Sequence, residues 1–268
     1  MRTRCPACGR RPRVRTPARQ VCDYCDSRWD WTPAGPARFR ASAQARWSDD
    51  VLRGRPEASC GRARLSLTLG ILASSDDLPA ALERASGLGS CLAETVVLLD
   101  AGAAPDAALP ARTRVHARPL AGHFGDQRTA LQRLARTPWV LQLDTDEAVG
   151  ADTLARLPAL LRAAERDGIL ALGLPRRNLV GGVLSDRYPD PQYRLCRRTT
   201  AYEGQVHERP RLASPARQSR LALGLHVEHA LTEARVRART ARYGAMSAGA
   251  TDTARPGDER ALLTPFRP

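Results

Sequence analysis

The stretch "WVLQLDTDEAV", Trp139 to Val149, sets three acids within four residues directly after an apolar run. Asp144 and Asp146 stand two positions apart, a spacing at which carboxylates on a turn can hold a hard divalent cation such as Mg²⁺ or Mn²⁺. Such an ion keeps positions open for diphosphate oxygens, and its charge stabilises a departing diphosphate. The same letters have a plainer reading. An acidic group after a strand commonly caps the next helix, and Asp152 in "TDEAVGADTL" offers such a cap. The surrounding elements decide between the two.

A second set of chemically capable residues lies near the amino terminus. Four of the seven cysteines form two CxxC pairs, Cys5 and Cys8 in "CPACG" and Cys22 and Cys25 in "CDYC". Their four thiolates match one tetrahedral zinc ion. Such a site has no open position, so the zinc would be structural, and a module of about 30 residues would need it to fold. The pattern is that of a zinc ribbon; a disulfide pair is the rival, disfavoured in a reducing compartment. Cys60, Cys91 and Cys196 have no partner at such spacing and read as small buried side chains.

The elements that must position the acids follow from hydrophobic pattern. "RLSLTLGILAS", Arg64 to Ser74, is a continuous apolar run suited to a buried strand. "SSDDLPAALERASGLG" supplies a capping cluster, a proline near the first turn and apolar residues at helical spacing. "ETVVLLDAG", Glu94 to Gly102, is a second buried strand with an acid at its carboxyl end. "RTRVHARPL" then reads as a short strand, "GDQRTALQRLAR" as a helix and "PWVLQLDTDEAV" as a strand ending in acids. Strand, helix, strand implies a parallel sheet, and ligands of open α/β sheets bind beyond the carboxyl ends of the strands. Asp100 and the Asp144, Asp146, Glu147 group are therefore expected in one crevice.

Composition limits the partners. The 268 residues, 43% of them hydrophobic, suffice for one α/β domain and a small module. The formal net charge is +14, and all 42 basic residues are arginine. Residues 1–60 carry 13 arginines against 6 acids, half of that excess. A polyanion is the expected attractant: nucleic acid, an anionic membrane surface or phosphorylated substrates. With no apolar run of about 18 residues and no apolar leader, neither a membrane span nor secretion is expected, which places the protein in the cytoplasm.

The run from about Arg64 to Ala250, some 185 residues, resembles family 2 glycosyltransferases with the GT-A fold, and among them the subgroup typified by lipopolysaccharide core glycosyltransferases. Four blocks carry the resemblance: "ETVVLLDAG", "HFGDQRTALQRLARTPWVLQLDTDE", "PRRNLVGGVLSDRYPDPQYRLCRR" and "YEGQVHERP". A fifth, "LHVEHALTEARVRARTARYGAMSA", is similar to the helix that closes the site in these enzymes. The expected fold class is α/β, a GT-A (Rossmann-like) domain with a mostly parallel sheet and flanking helices, preceded by the four-cysteine ribbon. The expected boundaries are a ribbon over 1–31, a basic linker over 32–60, the GT-A domain over 61–250 and a flexible tail over 251–268.

The resemblance implies roles. Asp100 would contact the base or ribose of a nucleotide-sugar donor, expected as a UDP-sugar; Gln127 and Arg128 would orient the nucleotide, Arg128 through the diphosphate. Asp144 and Asp146 would hold Mn²⁺ or Mg²⁺ and the donor. Thr129 stands where family members commonly carry Asn, and "LGILAS" replaces a Pro-containing loop, which leaves recognition of the donor base open. An inverting transfer needs a general base for the acceptor hydroxyl. The candidates are Asp190 in "YPDPQ" and His207 or Glu208 in "VHE", with Glu208 preferred and His207 positioning the acceptor or packing behind it; the plainer reading of "VHE" is a surface strand end. His226 matches a late metal or diphosphate ligand of some GT-A enzymes, or is a satisfied structural histidine. Arg176, Arg177 and Arg194 would line the acceptor side, pair with phosphates or be solvated. The acceptor is expected to be nucleic acid, a hydroxymethylated base of phage-type DNA in a host cytoplasm, extruded or single-stranded. Envelope glycan is the alternative acceptor, and an inactive GT-A domain serving as a zinc-dependent binding module the alternative class.

Overall fold

The structure is a computed structural model that describes residues 5, 19–22, 27–32, 35–40, 42–53, 64–88, 91–106, 108–205, 208–247 and 258–266. Of the four cysteines expected to form a ribbon, Cys5 and Cys22 are buried, while Cys8 and Cys25 lie outside the described residues, as does Cys60.

Strands β1 (Arg19–Val21), β2 (Arg28–Thr32) and β3 (Gly35–Arg40) form a small antiparallel sheet, followed by α1 (Ala43–Leu52). The main body runs β4 (Leu65–Ser74), α2 (Leu78–Leu88), β5 (Leu92–Asp100), β6 (Thr113–Ala117), α3 (Phe124–Leu134), β7 (Trp139–Asp144), β8 (Glu147–Ala148) and α4 (Ala151–Arg166). It continues with β9 (Ala171–Leu174), β10 (Arg176–Val180), β11 (Val183–Leu184), β12 (Gln192–Arg197), β13 (Tyr202–Glu203) and β14 (Arg209–Pro210). Then come α5 (Pro215–Gln218), β15 (Ser219–Leu221), β16 (Val227–Leu231), α6 (Glu233–Ser247) and α7 (Asp258–Leu263).

Seven strands form the central sheet in the order β15-β9-β12-β7-β4-β5-β6. Strands β7, β4, β5 and β6 are mutually parallel, and β12 runs antiparallel between β7 and β9. With flanking helices this is a mixed α/β, Rossmann-like architecture, as the strand-helix alternation of the sequence requires. Both faces of β4 are covered from Leu67 to Ile71, with Thr68 the one polar side chain in that buried run. Leu67, Leu69 and Ile71 join one core cluster; on the other face Gly70 lets Leu131 of α3 lie against the strand, and a Cβ there would collide with the Leu131 Cδ2. The parallel register sets Ser74 opposite Asp100 and Leu72 opposite Asp144, so both acids stand on the same rim.

A second sheet, β11-β10-β16-β8, leans over that rim. Its register brings His229 opposite both Asn178 of β10 and Glu147 of β8. No helix among the described residues is long and apolar enough to cross a membrane.

Two segments differ from the sequence expectation. Within 32–60, expected as a linker, β3 pairs with β2 and α1 packs on α4 and β15. Trp47, Val51 and Leu52 give α1 a short apolar stripe that meets the main core, the Trp47 indole donates to Asp167 at 2.9 Å, and Ser48 Oγ accepts from the Leu223 N–H. Within 251–268, expected as a flexible tail, Asp258–Leu263 form α7. Pro265 bridges to Ser185, the Phe266 N–H donates to the Leu184 carbonyl, and the Phe266 ring sits edge-on to Tyr188 at 5.5 Å. In both, a few apolar side chains spaced among Arg, Pro and Ala suffice for docking on a neighbour.

Candidate active site

At the carboxyl ends of β4, β5 and β7 lies a cavity of about 720 Å³ that α6 and α7 also line. Asp100, Gln127, Arg128, Asp144, Asp146, Asp190 and Glu208 all line it. Apolar side chains Leu72, Leu98, Leu120 and Phe124 line it as well. The charged lining balances: Asp77, Asp100, Asp144, Asp146, Asp190, Glu208 and Glu259 against Arg128, Arg176, Arg187, Arg194, Arg209, Arg235 and Arg239.

Helix α3 delivers Arg128. His123 caps it, Nδ1 accepting from the Asp126 N–H at 3.1 Å, and the Phe124 and Gly125 N–H groups donate to the carbonyls of Gln205 and Gly204. A Cβ on Gly125 would come within 2.7 Å of the Gly204 oxygen, so glycine is what allows the helix start to meet the 203–205 backbone. One turn in, Gln127 is committed to the segment after β6: its amide nitrogen donates to the Arg118 carbonyl at 2.7 Å, and its oxygen accepts from the Arg118 guanidinium. Asp100 accepts from the Leu120 N–H at 2.8 Å. Both residues thus hold the 118–120 wall in place.

Arg128 starts a chain of alternating charge. Its Nε donates to Glu208 at 2.5 Å and its terminal nitrogens to both oxygens of Asp144, at 2.9 and 3.2 Å, and to Gln142. Arg194, from β12, donates to Asp144 at 2.7 Å and to the fully buried Glu147 at 2.8 Å. Arg176, from β10, joins Glu147 to Asp190, whose second oxygen meets Arg187 at 3.1 Å. Every buried charge has an opposite neighbour, the condition under which buried charges are tolerated. Burial works against ionising Asp144, Glu147, Asp190 and Glu208, but the adjacent guanidinium groups outweigh it and hold each carboxyl below its usual range.

Asp146 stands apart from this chain. Its Oδ2 lies 3.2 Å from His229 Nε2 and 3.2 Å from an Arg235 nitrogen. Burial works against ionising its carboxyl, and cationic neighbours, Arg239 among them, hold it down to about 2. His229 has Nδ1 at 2.7 Å from Asn178 Oδ1 and Nε2 at 3.1 Å from Arg239. Burial and Arg176 push its imidazole below the usual 6.5, against the pull of Asp146.

The donor chemistry is that of a partial cation site. An oxygen of Asp146 and a nitrogen of His229, 3.2 Å apart, match the roughly 3 Å between adjacent ligands of an octahedral ion with bonds of about 2.1 Å. Asp144 differs, since both its oxygens are taken by arginines. Among the described residues no three His, Cys, Asp or Glu side chains converge as a complete cage, so the remaining positions would fall to substrate oxygens and water. His226 lies away from the cavity lining, 3.8 Å from Glu228, and His207 is outside the described residues. Arg177 is part-exposed and faces Glu228, whereas Arg176 and Arg194 are buried in the charge chain.

Sequence reasoning passed over His229, Asn178 and the arginines of α6. Alternation carried the signal for His229: Val227, His229 and Leu231 share the inward face of β16, and His226 precedes the strand.

No family model and no curated protein matches this chain. Solved structures overlap it partially. S. aureus TarS has a TM-score of 0.27 at 16% identity over 42% of this chain and 21% of its own. TarS 1-349 gives 0.28 at 12% identity over 49% and 47%. The 2-C-methyl-D-erythritol 4-phosphate cytidylyltransferase of Thermus thermophilus gives 0.30 at 20% identity over 55% and 68%. The chain thus spans about a fifth of the length of the first of these, and the geometry of the site itself carries the functional reading.

Proposed function

We propose that the chain is a metal-dependent inverting glycosyltransferase, moving a sugar from a nucleotide-sugar donor, in the first instance a UDP-sugar, to an acceptor hydroxyl. One observation carries the reading: an Asp146–His229 pair, two arginines and a carboxylate converge in one cavity at the carboxyl rim of a parallel sheet. The apolar lining from Leu72, Leu98, Leu120 and Phe124, with Asp100 in the same cavity, suits a base and ribose. Asp146 and His229 would hold Mn²⁺ or Mg²⁺, which when bound supplies charge to the leaving diphosphate. Arg128 and Arg194, fixed by Asp144, present positive charge to the same oxygens without reorganising. Glu208, ionised and 14% exposed, is the base for the acceptor proton. Asp190, with both oxygens engaged, serves as a structural anion, and Gln127 supports the wall of the nucleotide end.

The acceptor we favour is nucleic acid carrying a hydroxymethylated base. It is supported by the +7 charge of residues 1–60 and by Cys5, Cys8, Cys22 and Cys25, which we assign to a structural zinc. Replacing Cys22 with Ser should release that zinc; acceptor binding that survived at physiological salt would remove the ribbon as docking element. Nucleotide release is the primary test, measured with Mn²⁺ and a panel of sugar nucleotides on hydroxymethylated DNA, unmodified DNA, envelope glycan and no acceptor. Release that requires the modified DNA, with a matching mass gain on the base, is expected. Release only with glycan would move the acceptor to the cell envelope, and none under any condition would leave a binding module whose acids are locked by arginine.

A further inference from the structure

The Asp146–His229 pair raises a question of protons. A neutral imidazole has one N–H, and only the nitrogen without it can bind a cation. Around His229 Nε2 the neighbours conflict: Asp146 Oδ2 at 3.2 Å is an acceptor, while Arg239 at 3.1 Å can only donate. The other nitrogen decides. Nδ1 faces Asn178 Oδ1 at 2.7 Å. An amide could equally turn its NH₂ that way, but here the NH₂ is committed, donating to Asp190 Oδ2 at 3.0 Å. Asp190 accepts from Arg176 at 2.6 and 3.0 Å and meets Arg187 at 3.1 Å, so it is an acceptor only, and a flipped amide would set oxygen against oxygen. The strand register reinforces the contact, since Asn178 and His229 are direct partners across β10 and β16.

We propose that Asp190 and Asn178 are a positioning pair that fixes His229 as its Nδ1–H tautomer, presenting a bare Nε2 lone pair beside Asp146 for a divalent cation. The inference rests on the cation reading of the Asp146–His229 pair. Two ligand lone pairs 3.2 Å apart repel unless a cation lies between or beside them. Arg235 and Arg239, one helical turn apart on α6, supply positive charge there from the cavity side. Asp190 then acts through Asn178, without touching the reacting atoms.

The test separates the tautomer from the cation. Histidine ¹⁵N spectra of the full chain at pH 8, free of divalent ions, should show one imidazole with a protonated Nδ1 and a pyridine-type Nε2, absent in His229→Gln. A protonated Nε2 would overturn the pairing whether or not a cation binds. Binding of Mn²⁺ with UDP, followed by electron paramagnetic resonance of the free ion, should weaken about 10–100-fold in Asn178→Leu, the usual cost of losing an outer-shell partner. The imidazole signals should shift toward mixed tautomers, with the fold retained by circular dichroism. Wild-type Mn²⁺ affinity in Asn178→Leu would overturn the positioning role. No Mn²⁺ or Mg²⁺ binding by the wild type, with the expected tautomer in place, would instead overturn the cation reading beneath it.

Discussion

Asp144 and Asp146 stand two positions apart in the chain, yet their surroundings give them different work. Asp144 is gripped by Arg128 and Arg194, and Asp146 faces His229 and Arg235. Asp144→Asn should leave two buried guanidinium groups short of a counter-charge and destabilise the fold by about 1–3 kcal/mol, with Mn²⁺ affinity nearly unchanged. Asp146→Asn should do the reverse, abolishing Mn²⁺-dependent turnover while the thermal midpoint stays; denaturation and metal titration of the two variants read this directly. A second residue, far from the cavity, sets part of the acid stability. Glu94 is buried, yet hydrogen bonds from the Arg136 N–H at 2.6 Å, Thr68 at 2.7 Å and Arg114 at 2.9 Å more than offset its desolvation and hold its carboxyl below 4.5. The folded state therefore binds fewer protons there than the unfolded chain, and the contribution, full above the ordinary glutamate range, is lost as pH falls through the lowered value. Glu94→Gln should flatten the stability-pH curve in that acidic window. The sequence showed "DTDE" as a candidate site because a strand end exposes its acids. It did not show which acid does what, because Arg176 and Arg194 arrive from strands tens of residues away.

Among the elements, the buried strands and α3 were legible, since β4, β5 and β7 are mostly apolar runs and "GDQRTALQRLAR" reads as a helix between two of them. Helix α1 and the 258–266 segment were not, because Arg, Pro and Ala dilute their few apolar anchors below any periodic signal. The start of α3 is the element on which the site most depends. Gly125→Ala would force a methyl group against the Gly204 carbonyl, a backbone contact that cannot give easily. A loss of about 1–3 kcal/mol is expected, with KM for the donor rising more than kcat falls, because Gln127 and Arg128 shift together. Steady-state kinetics across donor concentration would reveal the split; an unchanged KM would mean that the helix start moves without its next turn.

At the scale of the whole molecule, the helix before the central sheet and the last described segment both pack on the body: α1 against α4 and β15, and 258–266 against β11, where Glu259 and Leu262 join the cavity lining. Deleting residues 258–268 should therefore lower the thermal midpoint by several degrees, at roughly 2–4 °C per kcal/mol for a chain of this size, and admit water to the site. The measurable sign is a higher ratio of donor hydrolysis to transfer. The equal numbers of acids and arginines in the cavity have one more consequence. Since the charged lining of the cavity is neutral, the excess of 14 positive charges belongs to the rest of the molecule, so the exterior should draw polyanions while the cavity stays electrically quiet. Heparin should accordingly inhibit without competing against the sugar nucleotide, and modest salt should silence that inhibition while leaving donor affinity almost untouched.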